Sequence, residues 1–482
     1  MHIAPLLLPA VTAVGLTDRN ITAAIETLFF AKKGMALQLI AVATQQGMVT
    51  LSGFTQDLQM QELAQEMVLD VRGVRGVCST LQVLPSGIPD MELQYDLVSA
   101  LADDPATTDY QLNLTVSQGV ASLRGTVQSW AEKQLVLQVV KGVRGVQQCV
   151  ADDLVIAWGR AHNSDAEITT EIWKMLAWDI RVNGALVDAS TRRQVVHLSG
   201  TVRTVAEKER LVAIAYHAGA SRVEARDLLV AGAALRQGKR LDKYSLKTDD
   251  AIASAVRDMF RLNPRLRAGQ PVVYVRDGVV TLAGTVSNLR AKLDAEADAQ
   301  NVVGVARVHD FLKVCPDRPV SDQDVAHAVA AALTRSTYVG HLALRVQVVA
   351  GTVLLTGRVA TAFEQQQARK VAAAVSGVVA VNTQLELAVP EMVAAPMPTL
   401  PHEQEPLASL ADQDQALAER IRARYRWSAA LHDQELAVAV AKGRATLTGT
   451  VGTWLVRKQA ARAAYEAGAW DVNNHVRTLA AF

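Results

Sequence analysis

The 482-residue chain has few of the residues that cross-link proteins or bind metals through sulfur. Its three cysteines, Cys78, Cys149 and Cys315, lie far apart and form no CxxC pair. That pattern excludes a disulfide framework and a cysteine zinc site. We expect all three to be small buried residues, which is how unpaired cysteines usually behave.

The chain also lacks an excess of either sign of charge and has no long apolar run. Lys and Arg number 49 against 48 Asp and Glu, a formal net charge of +1. No global field draws such a chain to polyanions, so we expect no nucleic-acid partner. No apolar run reaches the roughly 18–20 residues that a transmembrane helix requires. The apolar start of the chain lacks the basic segment of a signal peptide, which leaves the compartment open and favours the cytoplasm slightly over the periplasm.

The usual catalytic signatures are absent as well. The sequence has no Walker A loop, no HExxH, no GxSxG and no paired Cys/His, and its ten histidines are scattered. We therefore predict a protein that is not an enzyme, with no cofactor and no metal.

What the chain does have is a repeat. A short segment typified by Gly278–Val286 combines a turn glycine, a β-type strand and a second glycine that ends the strand. It is written six times. The strand-ending glycines are Gly53, Gly125, Gly200, Gly284, Gly357 and Gly449. The turn glycine predicts a β-hairpin, because glycine adopts positive φ without strain. In the third copy Gln194 takes its place, and we expect that hairpin to turn differently.

An aspartate lies 35 residues before each strand-ending glycine. The six are Asp18, Asp90, Asp165, Asp249, Asp322 and Asp414. Apolar residues follow each one at spacings of four, which predicts an amphipathic helix. We interpret the aspartates as helix N-caps. A second helix and a third strand complete an α-β-β-α-β unit.

Six such units predict an α+β protein of tandem modules with separate cores, arranged as beads rather than as a stacked rod. The long intervals between repeats predict a basic linker and a proline-rich one. The expected boundaries are 1–16 for an N-terminal extension, 17–86, 87–158 and 159–231 for repeats 1 to 3, 232–247 for the basic linker, 248–316 and 317–388 for repeats 4 and 5, 389–412 for the proline-rich linker and 413–482 for repeat 6.

The repeat resembles the BON domain, most closely at Gly278–Val286 with Gly304-Val305 and at Gly119–Val127 with Gly145-Val146. Repeats 1, 3 and 6 depart from the motif after the strand-ending glycine or at the later Gly-Val. The resemblance implies two helices on one face of a three-stranded mixed sheet. It also implies a non-catalytic role in binding phospholipid or in maintaining the bacterial cell envelope under osmotic stress.

One cluster stands out as a candidate contact for anionic lipid. It comprises Arg420, Arg422, Arg424, Arg426 and Trp427, together with Trp178, which holds the same repeat position as Trp427. Basic residues with an interfacial aromatic suit an anionic membrane surface. The alternative is that Trp427 packs internally while the arginines stay solvated at a helix end. The basic linker, with Arg236 and Lys243 among its cations, is a weaker candidate.

The leading hypothesis is a non-enzymatic, multivalent adaptor that binds anionic phospholipid peripherally or binds envelope proteins. Several weak contacts on one chain add up through effective concentration. Two alternatives stay open. One is a self-associating scaffold, because three-stranded sheets leave open edges. The other is a potassium-responsive protein, which the resemblance to some potassium-binding modules suggests.

Overall fold

The computed structural model describes residues 16–31, 39–157, 163–182, 186–230, 247–267, 269, 271–316, 320–387 and 410–478. Within these residues every repeat has the predicted order of helix, two strands, helix and strand. Nearly all of the expected N-terminal extension and of both expected linkers lies outside the described residues.

Each repeat begins with an amphipathic helix and has a second helix after its hairpin. The first helices are α1 Asp18–Ala31, α3 Asp90–Asp103, α5 Asp165–Trp178, α7 Asp249–Leu262, α9 Asp322–Arg335 and α11 Leu410–Trp427. The second helices are α2 Leu58–Leu69, α4 Trp130–Lys141, α6 Val205–His217, α8 Leu289–Gln300, α10 Ala362–Ala374 and α12 Trp454–Glu466.

The middle strand of each sheet pairs antiparallel with the first strand and parallel with the third. In repeats 1 to 3 the hairpins are β1 Ile40–Gln45 with β2 Met48–Thr55, β4 Leu112–Ser117 with β5 Val120–Val127, and β8 Val187–Arg192 with β9 Val195–Val202. In repeats 4 to 6 they are β12 Val272–Arg276 with β13 Val279–Ala283, β17 Arg345–Val349 with β18 Thr352–Val359, and β20 Glu435–Ala441 with β21 Arg444–Val451. In repeat 4 the short strand β14 Thr285–Val286 follows β13.

The third strands are continuous in repeats 1 and 5 and divided elsewhere. They are β3 Gly76–Val83, β6 Gln148–Val150 with β7 Leu154–Ile156, β10 Arg222–Glu224 with β11 Leu228–Val230, β15 Arg307–Asp310 with β16 Lys313–Val314, β19 Ala380–Leu387, and β22 Asp471–Asn474 with β23 Arg477–Thr478. The prediction of an α+β fold with a three-stranded mixed sheet in each module is confirmed.

All six hairpins turn through the same two-residue loop. In repeat 4, Asp277 and Gly278 have φ of 52° and 71°, the paired positive values of a type I′ turn. Arg193 and Gln194 have φ of 52° and 61° in repeat 3. The expectation that Gln194 forces a different turn is therefore wrong. A side chain in the left-handed region costs roughly 1 kcal/mol, which the rest of the hairpin offsets.

The aspartates explain how that turn is held, and they correct our capping prediction. Asp165 is the first residue of α5, while Ser164 before it accepts the capping hydrogen bond from the Glu167 N–H. The Asp165 carboxylate instead accepts the backbone N–H groups of Arg193 and Gln194, at 2.7 and 2.8 Å. Asp18, Asp90, Asp249, Asp322 and Asp414 bind the two turn amides of their own repeats in the same way. Each aspartate therefore ties the first helix to the hairpin turn.

In every repeat the second strand continues for two residues past the glycine that we expected to end it, in repeat 4 as the separate β14, so that expectation is wrong. These glycines, for which we keep the name strand-ending, give the hairpin its close backbone contact. Gly449 has φ of +131°, and a Cβ built on it would lie 2.1 Å from the Glu435 carbonyl oxygen. Gly53 and Gly200 have the same 2.1 Å approach to the carbonyl oxygen of the residue just before the first strand, Leu39 and Leu186. No residue with a side chain fits such a position without backbone movement.

Most repeats bury their own core, but they are not separate beads. The cores of repeats 2 and 6 are single clusters of their own residues, whereas repeats 1 and 3 share one cluster. The backbone also joins three pairs of repeats through isolated bridges, Val71 to Ser428, Val143 to Ser336 and Asp179 to Val302. Repeat 1 thus contacts repeat 6, repeat 2 contacts repeat 5, and repeat 3 contacts repeat 4. The prediction of independent beads is wrong.

A network of charged side chains lies where repeats 2, 3 and 4 meet. Arg265 of repeat 4 forms an ion pair with Asp104 of repeat 2, and both are almost fully buried. In repeat 3, Asp179 is bound by Arg181 and Arg210, each at 2.7 Å. Burial opposes the charge on Asp179, but the two guanidinium groups hold the pKa of this carboxyl below its usual range.

Candidate functional site

The sheets expose one face to solvent, and in repeat 4 that face combines aromatic rings with cations. Strand residues alternate between the two sides of a sheet, so register decides which side chains share a face. Tyr274 lies opposite Thr281 on the hairpin, and Thr281 lies opposite His309 on the third strand. Tyr274, His309 and Phe311 therefore project from one side of the sheet, away from the buried Val273, Val280 and Leu282.

The aromatic groups on this face are accessible. Tyr274 is 62% exposed and Phe311 is 64% exposed. The rings of His309 and Phe311 meet edge to face, with centroids 6.4 Å apart. Large apolar side chains are usually covered in a folded domain, so two exposed rings on one sheet face mark a candidate contact surface.

Three cations lie on the same face of the sheet as these rings. Arg276 and Arg307 belong to the same face of the outer strands, and Lys313 continues it beyond the strand-ending Gly284. Asp277 in the turn lies 3.8 Å from Arg276, and Asp310 belongs to the opposite face, where its carboxylate is 3.8 Å from Lys292. We call Tyr274, Arg276, Arg307, His309, Phe311 and Lys313 the repeat 4 face.

The corresponding face of repeat 1 is uncharged. Its residues at the positions of the repeat 4 face are Ala43, Gln45, Gly76, Cys78, Thr80 and, beyond Gly53, Gln82. The two repeats share a fold and a register, so the cations and rings of repeat 4 are not required by the fold.

The predicted arginine cluster of repeat 6 forms many internal contacts. Arg420 donates to the Ala467 carbonyl at 3.2 Å, Arg422 donates to Glu419 and to the Val438 carbonyl, and Arg424 forms an ion pair with Glu466. Arg420 and Arg426 remain exposed at the surface. Tyr425 between them is buried and donates its hydroxyl to the Ala460 carbonyl at 2.9 Å.

The two predicted tryptophans lie between repeats rather than on an open surface. Trp427 is half-buried against the cluster that repeats 1 and 3 share. Trp178 is half-buried against the core of repeat 4, with the Lys247 ammonium 5.6 Å from its ring centre. The predicted site is therefore not one surface: Trp178 and Trp427 contact other repeats, while Arg420 and Arg426 are exposed on α11.

Sequence reasoning did not identify the repeat 4 face, although a signal was present. Tyr274 and Arg276 alternate with buried residues, as do Arg307, His309 and Phe311, which is the period of an exposed strand side. The cysteine expectation is also corrected, because Cys78 and Cys315 are exposed. Arg236 and Lys243 of the basic linker lie outside the described residues.

The described residues hold neither a metal site nor a membrane-spanning helix. No group of three or more His, Cys, Asp or Glu side chains there is arranged to hold a metal ion. None of the helices found in that part of the chain has the length and apolar character needed to cross a bilayer.

The fold defines the class of this protein, a tandem array of small two-layer modules. The family model of the BON domain matches residues 17–85, 89–157, 164–231, 248–316, 321–389 and 413–480. The chain belongs to the BON domain family, with six copies of the domain.

The chain is also similar to individual proteins. The chain is 29% identical over 144 residues to Osmotically-inducible protein Y of Escherichia coli (strain K12), which covers 29% of this chain and 71% of that protein. Two solved structures of CdsD, a structural protein of the Type III secretion system of Chlamydia trachomatis, are each 16% identical with a TM-score of 0.13. They cover 48% and 46% of this chain and 100% and 90% of their own. A TM-score this low carries no argument.

Proposed function

We propose that this protein is a non-enzymatic, multivalent BON protein that associates peripherally with anionic phospholipid of the cell envelope in osmotic or envelope stress. The observation that carries the proposal is the repeat 4 face, where Tyr274 and Phe311 are exposed among three cations. Aromatic rings insert at the level of lipid headgroups, and lysine or arginine attracts their phosphates. The osmotic context rests on the name of the relative in Escherichia coli.

The shape of the face supports a membrane surface over a small ligand. A pocket for a small molecule is concave and encloses most of its ligand. The repeat 4 face is instead the open side of a sheet, with its rings projecting into solvent. Both rings and all three cations lie on this one side of the sheet, which is the side that a lipid surface would contact.

The arginines of repeat 6 enter the proposal as a secondary contact. Arg420 and Arg426 are exposed on α11, and Arg426 lies in its last turn, where a cation also complements the helix dipole. Each exposed arginine near an anionic membrane contributes about 1 kcal/mol of attraction at most. Binding through two such patches on one chain would be tighter than through either alone.

Flotation with vesicles tests the proposal. We expect the full chain to float with phosphatidylglycerol-containing vesicles and to remain at the bottom with pure phosphatidylcholine. The triple variant Arg276→Glu, Arg307→Glu and Lys313→Glu should lose about tenfold or more in the bound fraction, because three attractions become repulsions. Tyr274→Ala with Phe311→Ala should weaken binding and make the remainder more sensitive to salt.

The matched control reverses three exposed sheet-face arginines of other repeats, with Arg124→Glu, Arg222→Glu and Arg358→Glu. It changes the net charge of the protein by the same amount. Equal loss of binding in both triple variants would show that net charge, and not the repeat 4 face, attracts the protein. Flotation that survives reversal of the repeat 4 face would remove that face from the proposal.

A further inference from the structure

The three pairs of repeats are joined by the same backbone hydrogen bonds. In the pair of repeats 3 and 4, the Val303 N–H donates to the Trp178 carbonyl at 2.9 Å, and the Ile180 N–H donates to the Asn301 carbonyl at 3.0 Å. Repeats 2 and 5 are joined at the equivalent atoms of Arg144, Arg335, Thr337 and Gly142, and repeats 1 and 6 at those of Arg72, Trp427, Ala429 and Asp70. Each bridge joins the end of a first helix to the end of a second helix.

These bonds cannot decide which repeats pair. They use only backbone N–H and C=O groups, which nearly every residue has. Repeats 2 and 5 even form the reverse contact, because the Ser376 N–H donates to the Asp103 carbonyl at 3.2 Å. Any partner choice made at the contact itself must therefore come from its side chains.

One side-chain position lies at this contact in every pair. It is the residue thirteen positions after the aspartate of each repeat, here called the pairing position. Its residues are Ala31, Asp103, Trp178, Leu262, Arg335 and Trp427 in repeats 1 to 6. Its carbonyl accepts the hydrogen bond between repeats at Asp103, Trp178, Arg335 and Trp427.

The side chains described at the pairing position contact the partner repeat in each pair. Asp103 of repeat 2 forms an ion pair with Arg335 of repeat 5, and the two side chains are only 29% and 10% exposed. Trp178 of repeat 3 packs on the core of repeat 4, and Leu262 of repeat 4 packs on the cluster that contains repeat 3. Trp427 of repeat 6 packs on the same cluster, which contains repeat 1. The pairing position thus combines acid with base in repeats 2 and 5, aromatic with aliphatic in repeats 3 and 4, and places an aromatic ring from repeat 6 against repeat 1.

We propose that the pairing position selects which repeat docks on which, so that the six modules assemble in one order. A repeat docked on the wrong partner would bury Asp103 or Arg335 against an apolar side chain. Burial of a charge without its partner is strongly unfavourable. Discrimination therefore comes from the penalty for wrong pairs as well as from attraction in the right one.

Charge exchange in the full chain tests the proposal. The variants are Asp103→Arg, Arg335→Asp and the double exchange, and the measurement is hydrogen–deuterium exchange at the amides of Arg144, Thr337 and Ser376. Each single variant places like charges together, so these amides should exchange about tenfold faster or more. The double exchange restores opposite charges and should return exchange to within about threefold of the original chain.

The control exchanges an exposed ion pair of repeat 5, with Arg358→Glu and Glu386→Arg. These side chains are 82% and 77% exposed, and their exchange should leave the three amides unchanged. The proposal is overturned if the double exchange protects these amides no better than the worse single variant. It is equally overturned if both single variants leave them protected, because the order of the repeats would then follow from the connections between them.

Discussion

The helix ends and the outer sheet faces of the six repeats are used in opposite ways. At the helix ends the backbone contacts recur from pair to pair, and they bring repeats together. On the sheet faces the register recurs but the exposed side chains differ, from uncharged in repeat 1 to aromatic and cationic in repeat 4. Assembly therefore uses the helix ends, while the described sheet face of repeat 4 stays exposed.

This difference separates the positions of the repeat that the fold constrains from the positions that it leaves variable. Two features of the hairpin recur in every copy, an aspartate such as Asp249 that binds the turn amides and a glycine such as Gly284 that has a positive φ. Side chains on the solvent side of the strands are not, because changes at exposed positions away from such features usually cost under about 0.5 kcal/mol. The predictions below perturb the two sides separately.

The largest effect is expected from Gly449→Ala, which disturbs the hairpin of repeat 6. The added Cβ would meet the Glu435 carbonyl oxygen at 2.1 Å and would require a positive φ at alanine. We expect a loss of about 3–5 kcal/mol in the free energy of local unfolding of repeat 6. Hydrogen–deuterium exchange of β21 measures it, with the amides of repeat 2 as an internal reference.

Gly87→Ala is the matched control for that substitution. Gly87 also has a positive φ, of +72°, but an added Cβ meets nothing within 4 Å. Only the backbone strain of about 1 kcal/mol is then expected. Similar losses for the two variants would mean that the close approach in the hairpin does not matter.

A smaller effect is expected on the helical side, from Asp298→Asn at the junction of repeats 3 and 4. Burial raises the pKa of Asp298 to about 6, with a further contribution from Asp294, although the hydrogen bond from Asn263 opposes the shift. The contribution of Asp298 to the free energy of unfolding is fully present below about pH 4, which is near the pKa of this group in the unfolded chain. It is lost as the pH rises through about 6. At pH 7.5 the carboxylate therefore destabilises the fold.

Asparagine keeps an acceptor for Asn263 and carries no charge. Because Asp298 is only half-buried, we expect Asp298→Asn to add about 1–2 kcal/mol of stability at pH 7.5 and almost nothing at pH 4. Thermal unfolding at the two pH values measures the difference. The exposed Asp277→Asn on the sheet side should shift neither midpoint, and a pH-independent effect of Asp298→Asn would contradict the assignment.

The sequence predicts the module well and its assembly poorly. Helices such as α3 and hairpins such as β4 with β5 follow from local periodicity and turn residues, which act over a few positions. The carboxylate of Asp90 binds amides 28 and 29 residues away in the chain, so its spacing alone resembles a helix cap. The order of the modules was recognised, but the contacts between distant modules were not.

The sequence likewise predicts only part of the candidate site. The shared repeat position of Trp178 and Trp427 was visible in the sequence, yet its meaning depends on which repeat lies beside each ring. The residues that flank a tryptophan in the sequence do not show whether it packs between two modules or contacts a membrane. The repeat 4 face required the register of three strands, and the third is separated from the hairpin by a helix.

The most direct test of this account is hydrogen–deuterium exchange of the full chain with and without phosphatidylglycerol vesicles. We predict that vesicles slow exchange in β12 and around Phe311, while the amides of Arg72, Arg144 and Val303 at the helix ends keep their original rates. Unchanged exchange in repeat 4, with new protection or exposure at the helix ends, would contradict the division between an assembling helical side and a membrane-facing sheet.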